Sequence, residues 1–466
     1  MSVHPYDLVV IGCGPAGEKA AAQAAYFGKR CAIVDRGHVG GACVHTGTLP
    51  SKALRESALH LSGMAALGIS GVACRVGDGV SVGSLMAHRE AVCEAEVTRI
   101  LGNLDRHGIT LFHGDAHLVD AHTVHIERLG AEPLTLTTDV VIIATGTRPR
   151  QPAGLPFETD EVWDSDQVLD MESLPGSMLV YGAGVIGCEY AATFSALGVQ
   201  ITLLEPRDTI LPFVDHDVTR HLLAAFQDMG IRIGTNAVLA SVQGDEGVGV
   251  VLRLEDGRSF EADRLLFCAG RTANSDNLGL ENLGVQLNSR GQILVDDNYH
   301  AGVGRIYAVG DIIGFPALAS TGMEQGRVAS CHAFGFSYKD QISRLLPYGI
   351  YTIPECAMIG HTEQDCQAKE IPYEVGTAKY SENARGALAG GAEGLLKLVF
   401  DPATKRLLGV HIVGQGASEL VHIGMTVIQF GGTIDAFIDA VYNFPTLSEL
   451  YKYAAYDGLK RISVGR

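Results

Sequence analysis

Long apolar runs and an excess of positive charge are both missing from this chain. No apolar run approaches the roughly 18 residues that a membrane span needs. The 35 lysines and arginines against 53 acidic residues give a formal net charge of −18. Because like charges repel, this composition disfavours a nucleic acid or an anionic membrane as partner. Residues 1–7 lack the basic start and the apolar stretch of an export signal, so we expect a cytoplasmic protein.

Cysteine pairs at metal-binding spacing are also missing. The 10 cysteines, at positions 13, 31, 43, 74, 93, 188, 268, 331, 356 and 366, form no CxxC and stand beside no histidines at ligand spacing. Buried, reduced thiols are expected instead. The histidines at 107, 113, 117, 122 and 125 surround short polar connections, which favours a surface β-region over a metal site. We therefore expect no bound metal.

Glycine, by contrast, is plentiful, and two stretches use it in the same way. The chain has 466 residues, enough for roughly three domains, and 57 of them are glycine. The first stretch has a strand at 6–11, the loop Gly12-Cys13-Gly14-Pro15-Ala16-Gly17, a helix at 18–27 and a strand at 31–34 that leads to Asp35. This order is typical of a β-loop-α-β dinucleotide unit.

The second stretch repeats the pattern. A strand at 178–181 precedes Gly182-Ala183-Gly184-Val185-Ile186-Gly187, and a helix at 189–197 and a strand at 200–204 lead to Glu205. Glycines at this spacing let the backbone approach a pyrophosphate, while the amides at the start of the helix face its charge. Asp35 and Glu205 would each accept hydrogen bonds from an adenosine ribose. The glycines alone do not decide which loop holds which cofactor.

Further apolar runs divide the chain. Strands are expected at 140–143, 265–268 and 306–309, and the proline-rich stretch 149–156 marks a first boundary. Beyond residue 349, alternating runs at 395–400 and 408–412 predict an antiparallel sheet, with helices at 419–430 and 447–462 packed on it. The sequence therefore predicts an α/β fold with two Rossmann-like dinucleotide-binding domains and a C-terminal α+β domain.

Several motifs together resemble those of the pyridine nucleotide-disulfide oxidoreductases, the family of dihydrolipoamide dehydrogenase, glutathione reductase and mercuric reductase. They are both glycine loops, GGxCxxxGxxPSK at 40–52, ATGxRP at 144–149, GRxxN at 270–274 and YAVGD at 307–311. Segments 46–52, 181–190 and 349–355 are most similar to the soluble transhydrogenase branch of that family.

The resemblance implies the cofactors and the domain roles. FAD would occupy the first fold and NAD(H) or NADP(H) the second. The domains would be an FAD-binding domain at 1–154, an NAD(P)-binding domain at 155–273, a central FAD-binding part at 274–348 and a dimerisation domain at 349–466. A homodimer or larger homo-oligomer is expected.

The resemblance also implies the site residues. Lys52 matches the lysine near flavin N5, Glu189 the acid that pairs with it, and Asp311 the residue that holds the ribityl or pyrophosphate part. A cation near N5 would stabilise the charge that develops when hydride arrives. The remaining implied cofactor contacts are Gly12, Gly14, Pro15, Ala16, Gly17, Asp35, Arg36, Gly41, Ala42, Cys43, Gly47, Thr48, Ala116, Ala144, Thr145, Gly146, Gly182, Gly184, Val185, Ile186, Gly187, Glu205, Arg207, Gly270, Arg271, Gly310, Ala317, Leu318 and Ala319.

Two positions depart from the disulfide members of the family. Those proteins carry CxxxxC, and here Cys43 remains while Thr48 takes the flavin-side position. They also carry a histidine that exchanges a proton with the thiol, and here the residue is Phe444. A hydroxyl cannot form a disulfide and a phenyl ring cannot carry a proton. Cys43 is accordingly interpreted as a bystander and Thr48 as a flavin-side residue of the catalytic centre.

These departures favour FAD-dependent hydride transfer between NADPH and NAD⁺, in either direction, by ping-pong exchange at one site. An NAD(P)H-dependent quinone or dye reductase is the main alternative. A non-enzymatic flavoprotein and a thiol reductase that uses Cys43 with another cysteine are weaker ones. Glu205 favours the free 2′-hydroxyl of NAD, and Arg207 either turns toward a 2′-phosphate or lies in solvent.

Overall fold

The computed structural model describes residues 3–62, 82–245, 249–343, 345–388 and 393–464. The chain divides into two compact units. Unit 1 comprises residues 1–53, 86–150 and 270–343, and unit 2 comprises residues 54–85, 151–269 and 344–466. Among the described residues, no helix is both long enough and apolar enough to cross a membrane.

The secondary structure alternates between strands and helices through most of the chain. The strands are β1 Val3–Ile11, β2 Cys31–Asp35, β3 Thr110–His113, β4 Asp115–Asp120, β5 Thr123–Glu127, β6 Leu134–Ile143, β7 Thr147–Pro149, β8 Val162–Asp164, β9 Ser177–Tyr181, β10 Gln200–Leu204, β11 Arg232–Gly234, β12 Leu239–Asp245, β13 Gly249–Leu254, β14 Ser259–Ala262, β15 Arg264–Phe267, β16 Arg271–Ala273, β17 Ile306–Ala308, β18 Tyr348–Ile350, β19 Cys356–Gly360, β20 Glu374–Lys379, β21 Leu395–Phe400 and β22 Leu407–Val413. The helices are α1 Pro15–Tyr26, α2 Gly41–His45, α3 Thr48–Leu61, α4 Val82–Arg106, α5 Val185–Ala196, α6 His216–Asp228, α7 Leu280–Leu283, α8 Ala319–Phe334, α9 Glu363–Ala368, α10 Ala384–Leu388, α11 Ala417–Gln429, α12 Asp435–Asp439 and α13 Leu450–Val464.

Unit 1 is built on a seven-stranded sheet in the order β3-β2-β1-β6-β5-β4, with β17 also paired to β6. The pairs β1–β2, β1–β6, β2–β3 and β6–β17 are parallel, whereas β4, β5 and β6 pair antiparallel. Leu8, Val9 and Val10 are all fully buried, because helices and loops cover both faces of the parallel part. The first glycine loop follows the carboxyl end of β1, a central strand of this sheet.

Small residues let α1 and α8 approach closely beside this sheet. A Cβ on Gly326 of α8 would lie 2.3 Å from the carbonyl oxygen of Ala16 in α1. The Ser330 hydroxyl donates to the Ala20 carbonyl at 2.7 Å. The alanine-rich sequence of α1 is therefore explained by helix packing.

Unit 2 contains a second parallel sheet and an antiparallel sheet. The parallel sheet has the order β11-β10-β9-β15-β8, and a three-stranded sheet of β12, β13 and β14 accompanies it. The antiparallel sheet has the order β18-β19-β22-β21-β20, and α11 and α13 pack against its apolar face, which includes Leu396, Leu398 and Phe400. The predicted α/β class and the antiparallel C-terminal sheet are confirmed.

Three helix starts were predicted too late, including that of α11, which was expected from 419 and begins at Ala417. The helices expected from 18 and 189 begin at Pro15 and Val185, directly after Gly14 and Gly184. Proline at the first helical position needs no hydrogen-bond partner for its nitrogen, so it starts α1 without cost. The last helix was expected from 447, but a 3₁₀ turn at Leu447–Glu449 precedes α13.

The histidine and cysteine predictions are only partly confirmed. His113, His117 and His125 lie in β3, β4 and β5, and His122 lies in the connection between β4 and β5, but His107 follows the end of α4. The nine described cysteines are all free, as expected. Three of them are only half-buried, because Cys43, Cys93 and Cys268 lie near the ends of elements or on a helix surface. Cys74 lies outside the described residues.

Candidate functional site

The first glycine loop has two glycines that the packing requires and one that it does not. Gly12 has φ of +104°, and a Cβ there would lie 2.4 Å from the Ala144 carbonyl oxygen. A Cβ on Gly17 would lie 2.0 Å from the Gly12 oxygen. A Cβ on Gly14, at the N-cap of α1, would meet no atom within 4 Å. The backbone at Gly14 is thus open to close approach by a ligand, at a helix N-terminus that favours an anion.

The second glycine loop has the same design. Gly182 has φ of +101°, and a Cβ there would lie 3.0 Å from the carbonyl of Cys268. A Cβ on Gly187 would lie 1.9 Å from the Gly182 oxygen, whereas one on Gly184 would meet no atom within 4 Å. Each parallel sheet therefore presents one backbone cradle that fits a pyrophosphate.

The acid after each second strand is bonded to its own glycine loop, but the two acids differ. Asp35 Oδ2 accepts from the N–H of Cys13 at 2.7 Å, and Oδ1 accepts from the N–H groups of Gly37 and His38 at 2.9 and 2.7 Å. The neighbouring Arg36 pairs with Asp115 at 2.6 Å. No arginine in the described part of the chain forms a salt bridge with Asp35.

Glu205, in contrast, forms a salt bridge with the guanidinium of Arg207. Glu205 Oε2 accepts from the N–H of Ala183 at 2.7 Å and from Arg207 Nη2 at 3.1 Å, while Oε1 accepts from Arg207 Nε at 2.6 Å. Burial raises the pKa of Glu205, but the bonds from Arg207 and the backbone outweigh it and leave the pKa lowered. Arg207 lies against the acid and its side chain is still 51% exposed, so its role toward a 2′-phosphate stays a prediction.

The segment that follows the first β-loop-α-β unit places a cysteine thiol beside a threonine hydroxyl. Cys43 lies in α2 and Thr48 begins α3, and the Thr48 hydroxyl is hydrogen-bonded to the Cys43 thiol. Burial is the main cause that raises the pKa of Cys43, so the thiol is protonated at neutral pH. One turn further along α3, Lys52 Nζ lies 3.3 Å from the Ser51 hydroxyl. The Cβ of an alanine at Gly47 would lie 2.9 Å from the Ala42 carbonyl oxygen.

Asp311 sits in a short polar chain that the sequence did not reveal. Arg271 donates from Nε and Nη2 to the hydroxyl and carbonyl of Thr147 at 2.7 and 2.8 Å, and the Thr147 hydroxyl lies 3.5 Å from Asp311 Oδ2. Burial raises the pKa of Asp311. The N–H of Gly310 donates to Gln325 Oε1 at 2.8 Å. Thr147 and Gln325 were missed because their partners are distant in sequence.

The other predicted positions of unit 1 lie after β6, in β4, at the start of α2, before β16 or around the start of α8. The N–H of Ala144 donates to Ile11 O at 2.8 Å, and Thr145 and Gly146 exchange hydrogen bonds with Asn274. Ala116 lies in β4, whereas Ala317 and Leu318 precede α8 and Ala319 begins it. Gly41 begins α2, and a Cβ on it would lie 3.0 Å from Gly14 Cα, close to the open part of the loop. Gly270 directly precedes Arg271.

Glu189 of α5 is held by a segment of the C-terminal part of unit 2. Its Oε1 accepts a hydrogen bond from the N–H of Tyr351 at 2.8 Å. The next residue, Thr352, accepts from Arg55 Nε at 3.1 Å, and Glu355 accepts from Arg55 Nη2 at 3.3 Å. Tyr351 and Arg55 were missed as site residues, although segment 349–355 was recognised as a point of similarity. Lys52 belongs to unit 1 and Glu189 to unit 2, so their pairing stays a prediction.

The comparisons with known proteins agree with this geometry. Residues 6–326 match "Pyridine nucleotide-disulphide oxidoreductase", and residues 346–455 match the dimerisation domain of the same name. A protein of Mycobacterium bovis named soluble pyridine nucleotide transhydrogenase is 46% identical over 99% of this chain and 98% of its own length. One of the same name from Pseudomonas fluorescens is 41% identical over 99% of this chain and its full length.

Two solved structures share the fold of this chain. LpdA of Mycobacterium tuberculosis superimposes with a TM-score of 0.89 at 27% identity, covering 97% of this chain and 99% of its own. The flavoprotein disulfide reductase RclA of Escherichia coli, at 24% identity and a TM-score of 0.87, covers the same shares and shows the fold alone. With both domains matched in order and full-length relatives sharing more than four residues in ten, the chain belongs to the pyridine nucleotide-disulphide oxidoreductase family.

Proposed function

We propose that this protein is a soluble, FAD-dependent transhydrogenase that moves hydride between NADP(H) and NAD(H). The observation that carries the proposal is the contact between Cys43 and Thr48. The nucleotide loops keep the family's form, but the residue beside the thiol is a hydroxyl, so no disulfide can form between positions 43 and 48. The names of the full-length relatives point to the same activity.

The residues present fit both cofactors. We assign FAD to the first loop, with the pyrophosphate at Gly14, the adenosine ribose at Asp35 and the central part of the cofactor near Asp311. We assign the nicotinamide nucleotide to the second loop, at Gly184 and Glu205. A bound flavin accepts a hydride from a reduced nicotinamide and returns it to an oxidised one.

The remaining residues are proposed to balance charge at the flavin ring and to hold the side chains around it in place. Lys52 stabilises the negative charge that develops at the flavin ring, and Glu189 provides the counter-charge. The Tyr351 amide fixes Glu189 in one orientation. Thr48 occupies the flavin-side position without redox chemistry of its own, and Cys43 stays protonated because burial raises its pKa.

The Glu205–Arg207 pair accounts for the use of two nucleotides. With NAD(H), the carboxylate of Glu205 accepts from the ribose hydroxyls. With NADP(H), the exposed Arg207 guanidinium is available to the 2′-phosphate and offsets the repulsion from Glu205. Because one pocket serves both nucleotides, they are expected to compete and to follow ping-pong kinetics.

We also propose the domain division at residues 154, 273 and 348, with the dimerisation domain from 349 onward, and a homodimeric assembly. The match of residues 346–455 to a dimerisation domain supports the assembly. Size-exclusion chromatography with light scattering tests it, since a monomer at all concentrations contradicts it.

Steady-state assays of the purified holoprotein test the function. NADPH is supplied with the thionicotinamide analogue of NAD⁺, with a quinone or with a small disulfide as acceptor. Nucleotide transfer with the highest kcat/KM is expected. Turnover restricted to quinones would instead assign a quinone or dye reductase, and turnover of the disulfide would contradict the account of Cys43 and Thr48.

A further inference from the structure

A buried lysine in the C-terminal sheet is surrounded by three carboxylates from unit 2. The ammonium of Lys397, in β21, lies 2.8 and 3.0 Å from the two oxygens of Asp215 and 2.7 Å from Asp217 Oδ2, and it also contacts Glu363 Oε2. Its side chain is 1% exposed and that of Asp215 is fully buried. Removing one partner from such a cluster leaves uncompensated buried charge, so the cluster fixes its members firmly.

The carboxylates come from the starts of two helices. Asp215 is the N-cap of α6 and accepts from the N–H of Asp217 at 3.0 Å, while Glu363 begins α9. Gln364, the second residue of α9, donates to the Val214 carbonyl at 3.2 Å. The start of α6 is therefore joined to α9 and to the middle of β21, in which Lys397 pairs in register with His411 of β22.

The segment that ends at Asp215 begins at Glu205, and we call residues 205–215 the ribose loop. Within it, Val214 donates to the Leu211 carbonyl at 2.9 Å, and Leu211 donates to the Ala183 carbonyl at 3.1 Å. Ala183 is the second residue of the second glycine loop, and its own N–H donates to Glu205 at 2.7 Å. A continuous set of contacts thus runs from Lys397 through Asp215 and Leu211 to the pyrophosphate cradle.

We propose that Lys397 is a positioning residue for the nicotinamide nucleotide, which holds the ribose loop and the second glycine loop in their binding geometry through Asp215. This inference rests on the proposed function of that loop. Lys397 has no role in the family motifs described above, and the run Leu395-Leu396-Lys397-Leu398 offers no sequence sign of it.

The first test is Lys397→Met, which keeps the length of the side chain and removes its charge. NADP⁺ and NAD⁺ binding to the oxidised holoprotein is measured by calorimetry, and the flavin reduction rate at saturating NADPH by rapid mixing. The dissociation constants of both nucleotides should rise about tenfold or more, while the saturating rate stays within about twofold. Leu398→Ala, on the opposite face of the same strand, is the matched control and should lower the melting temperature without weakening nucleotide binding.

A second test replaces the ammonium by a metal ion. The three carboxylates each offer an oxygen within 4.8 Å of the others, so Lys397→Ala leaves an oxygen-ligand set suited to Ca²⁺ or Mn²⁺. Added Ca²⁺ should restore nucleotide affinity to Lys397→Ala and leave the wild type unchanged. If the lysine variants do not fold, Glu363→Gln is used instead, because Glu363 is a half-buried member of the cluster. This variant should raise the dissociation constants of both nucleotides severalfold.

The results separate the two proposals. If the wild type binds neither nucleotide, the proposed function fails and this inference with it. If the wild type binds both and the folded lysine and glutamate variants bind them equally well, Lys397 is only structural and this inference alone is overturned. Weakened binding in Leu398→Ala to the same degree overturns it as well.

Discussion

The carboxylate of Glu189 accepts a hydrogen bond from the backbone N–H of Tyr351, with 2.8 Å between Oε1 and the nitrogen. The two residues are 162 positions apart in the chain. The contact joins the helix after the second glycine loop to the start of the C-terminal sheet. Because the donor is a backbone N–H, this hydrogen bond does not depend on which side chain stands at position 351.

Glu189→Gln should slow hydride transfer without disturbing the fold. The amide oxygen can still accept from Tyr351, but the negative charge proposed to balance Lys52 is lost. Removing a preorganised electrostatic group costs up to about a hundredfold to a thousandfold in rate. Rapid-mixing measurement of flavin reduction by NADPH checks this. Glu261→Gln, at an exposed position in β14, is the control, and an unchanged rate in Glu189→Gln would assign that residue a structural role.

Arg207→Ala should weaken the use of NADPH much more than the use of NADH. Loss of a charge-assisted hydrogen bond costs about 1.5–3 kcal/mol, so KM for NADPH should rise about tenfold or more, while KM for NADH changes little or falls. Arg253→Ala is the control, because Arg253 is an exposed arginine of β13 whose guanidinium donates to Gln243 Oε1 at 2.7 Å. Equal effects on both nucleotides in Arg207→Ala would show that the arginine only supports Glu205.

Substitution of Gly14 and Gly184, the N-cap glycines of α1 and α5, should show which loop binds which cofactor. Gly14→Ala places a Cβ where the pyrophosphate of FAD is proposed to lie, so folded protein with low flavin content is expected. Gly184→Ala should retain flavin and raise KM for both nucleotides. Flavin absorbance per chain and steady-state kinetics measure the two effects, and the reverse pattern would exchange the assignments.

Cys43→Ser should keep nucleotide transfer within about twofold, because the thiol is proposed to take no part in it. Thr48→Cys restores two cysteines at the family spacing, and its thiol count should fall by two after oxidation. It should still reduce small disulfides poorly, since Phe444 cannot supply a proton. Thiol titration and a disulfide reductase assay check both variants. A large loss of nucleotide transfer in Cys43→Ser contradicts the proposal.

Ionisation of buried thiols should lower the folding stability of the protein at alkaline pH. Burial raises the pKa of Cys13, Cys31 and Cys356 to about 12, whereas an unfolded thiol has a pKa of about 8.5. Because the folded pKa values are raised, their contribution to stability is complete below about pH 8.5 and is lost as the pH rises toward 12. The urea midpoint should therefore fall between pH 8.5 and 10.5.

Cys356→Ala tests the origin of this effect. It removes one of the three thiols and should flatten the dependence of the urea midpoint on pH. Ile359→Val perturbs the same strand without removing an ionisable group and should keep the wild-type slope. Equal slopes in the wild type and in Cys356→Ala would place the alkaline sensitivity elsewhere.

The sequence was most informative where local pattern and chemistry coincide. An apolar strand, a glycine loop and a terminal acid predicted both nucleotide units, since Gly12 and Gly182 must adopt positive φ and Gly17 and Gly187 leave no room for a side chain. It was least informative for contacts between distant residues. The Tyr351 amide that holds Glu189 comes from the backbone, and the charge of Lys397 is matched by residues more than 30 positions away. Neither kind of contact leaves a periodic signal.

An anaerobic two-step mixing experiment on the oxidised holoprotein tests the central claim most directly. NADPH is mixed first, NADP⁺ is removed, and NAD⁺ is then added while flavin absorbance and NADH formation are followed. The account predicts rapid loss of the flavin absorbance in the first step and its full return in the second, with one NADH formed per flavin, in the wild type and in Cys43→Ser alike. A reduced flavin that NAD⁺ leaves unchanged, and that only a disulfide or a quinone reoxidises, would contradict the account.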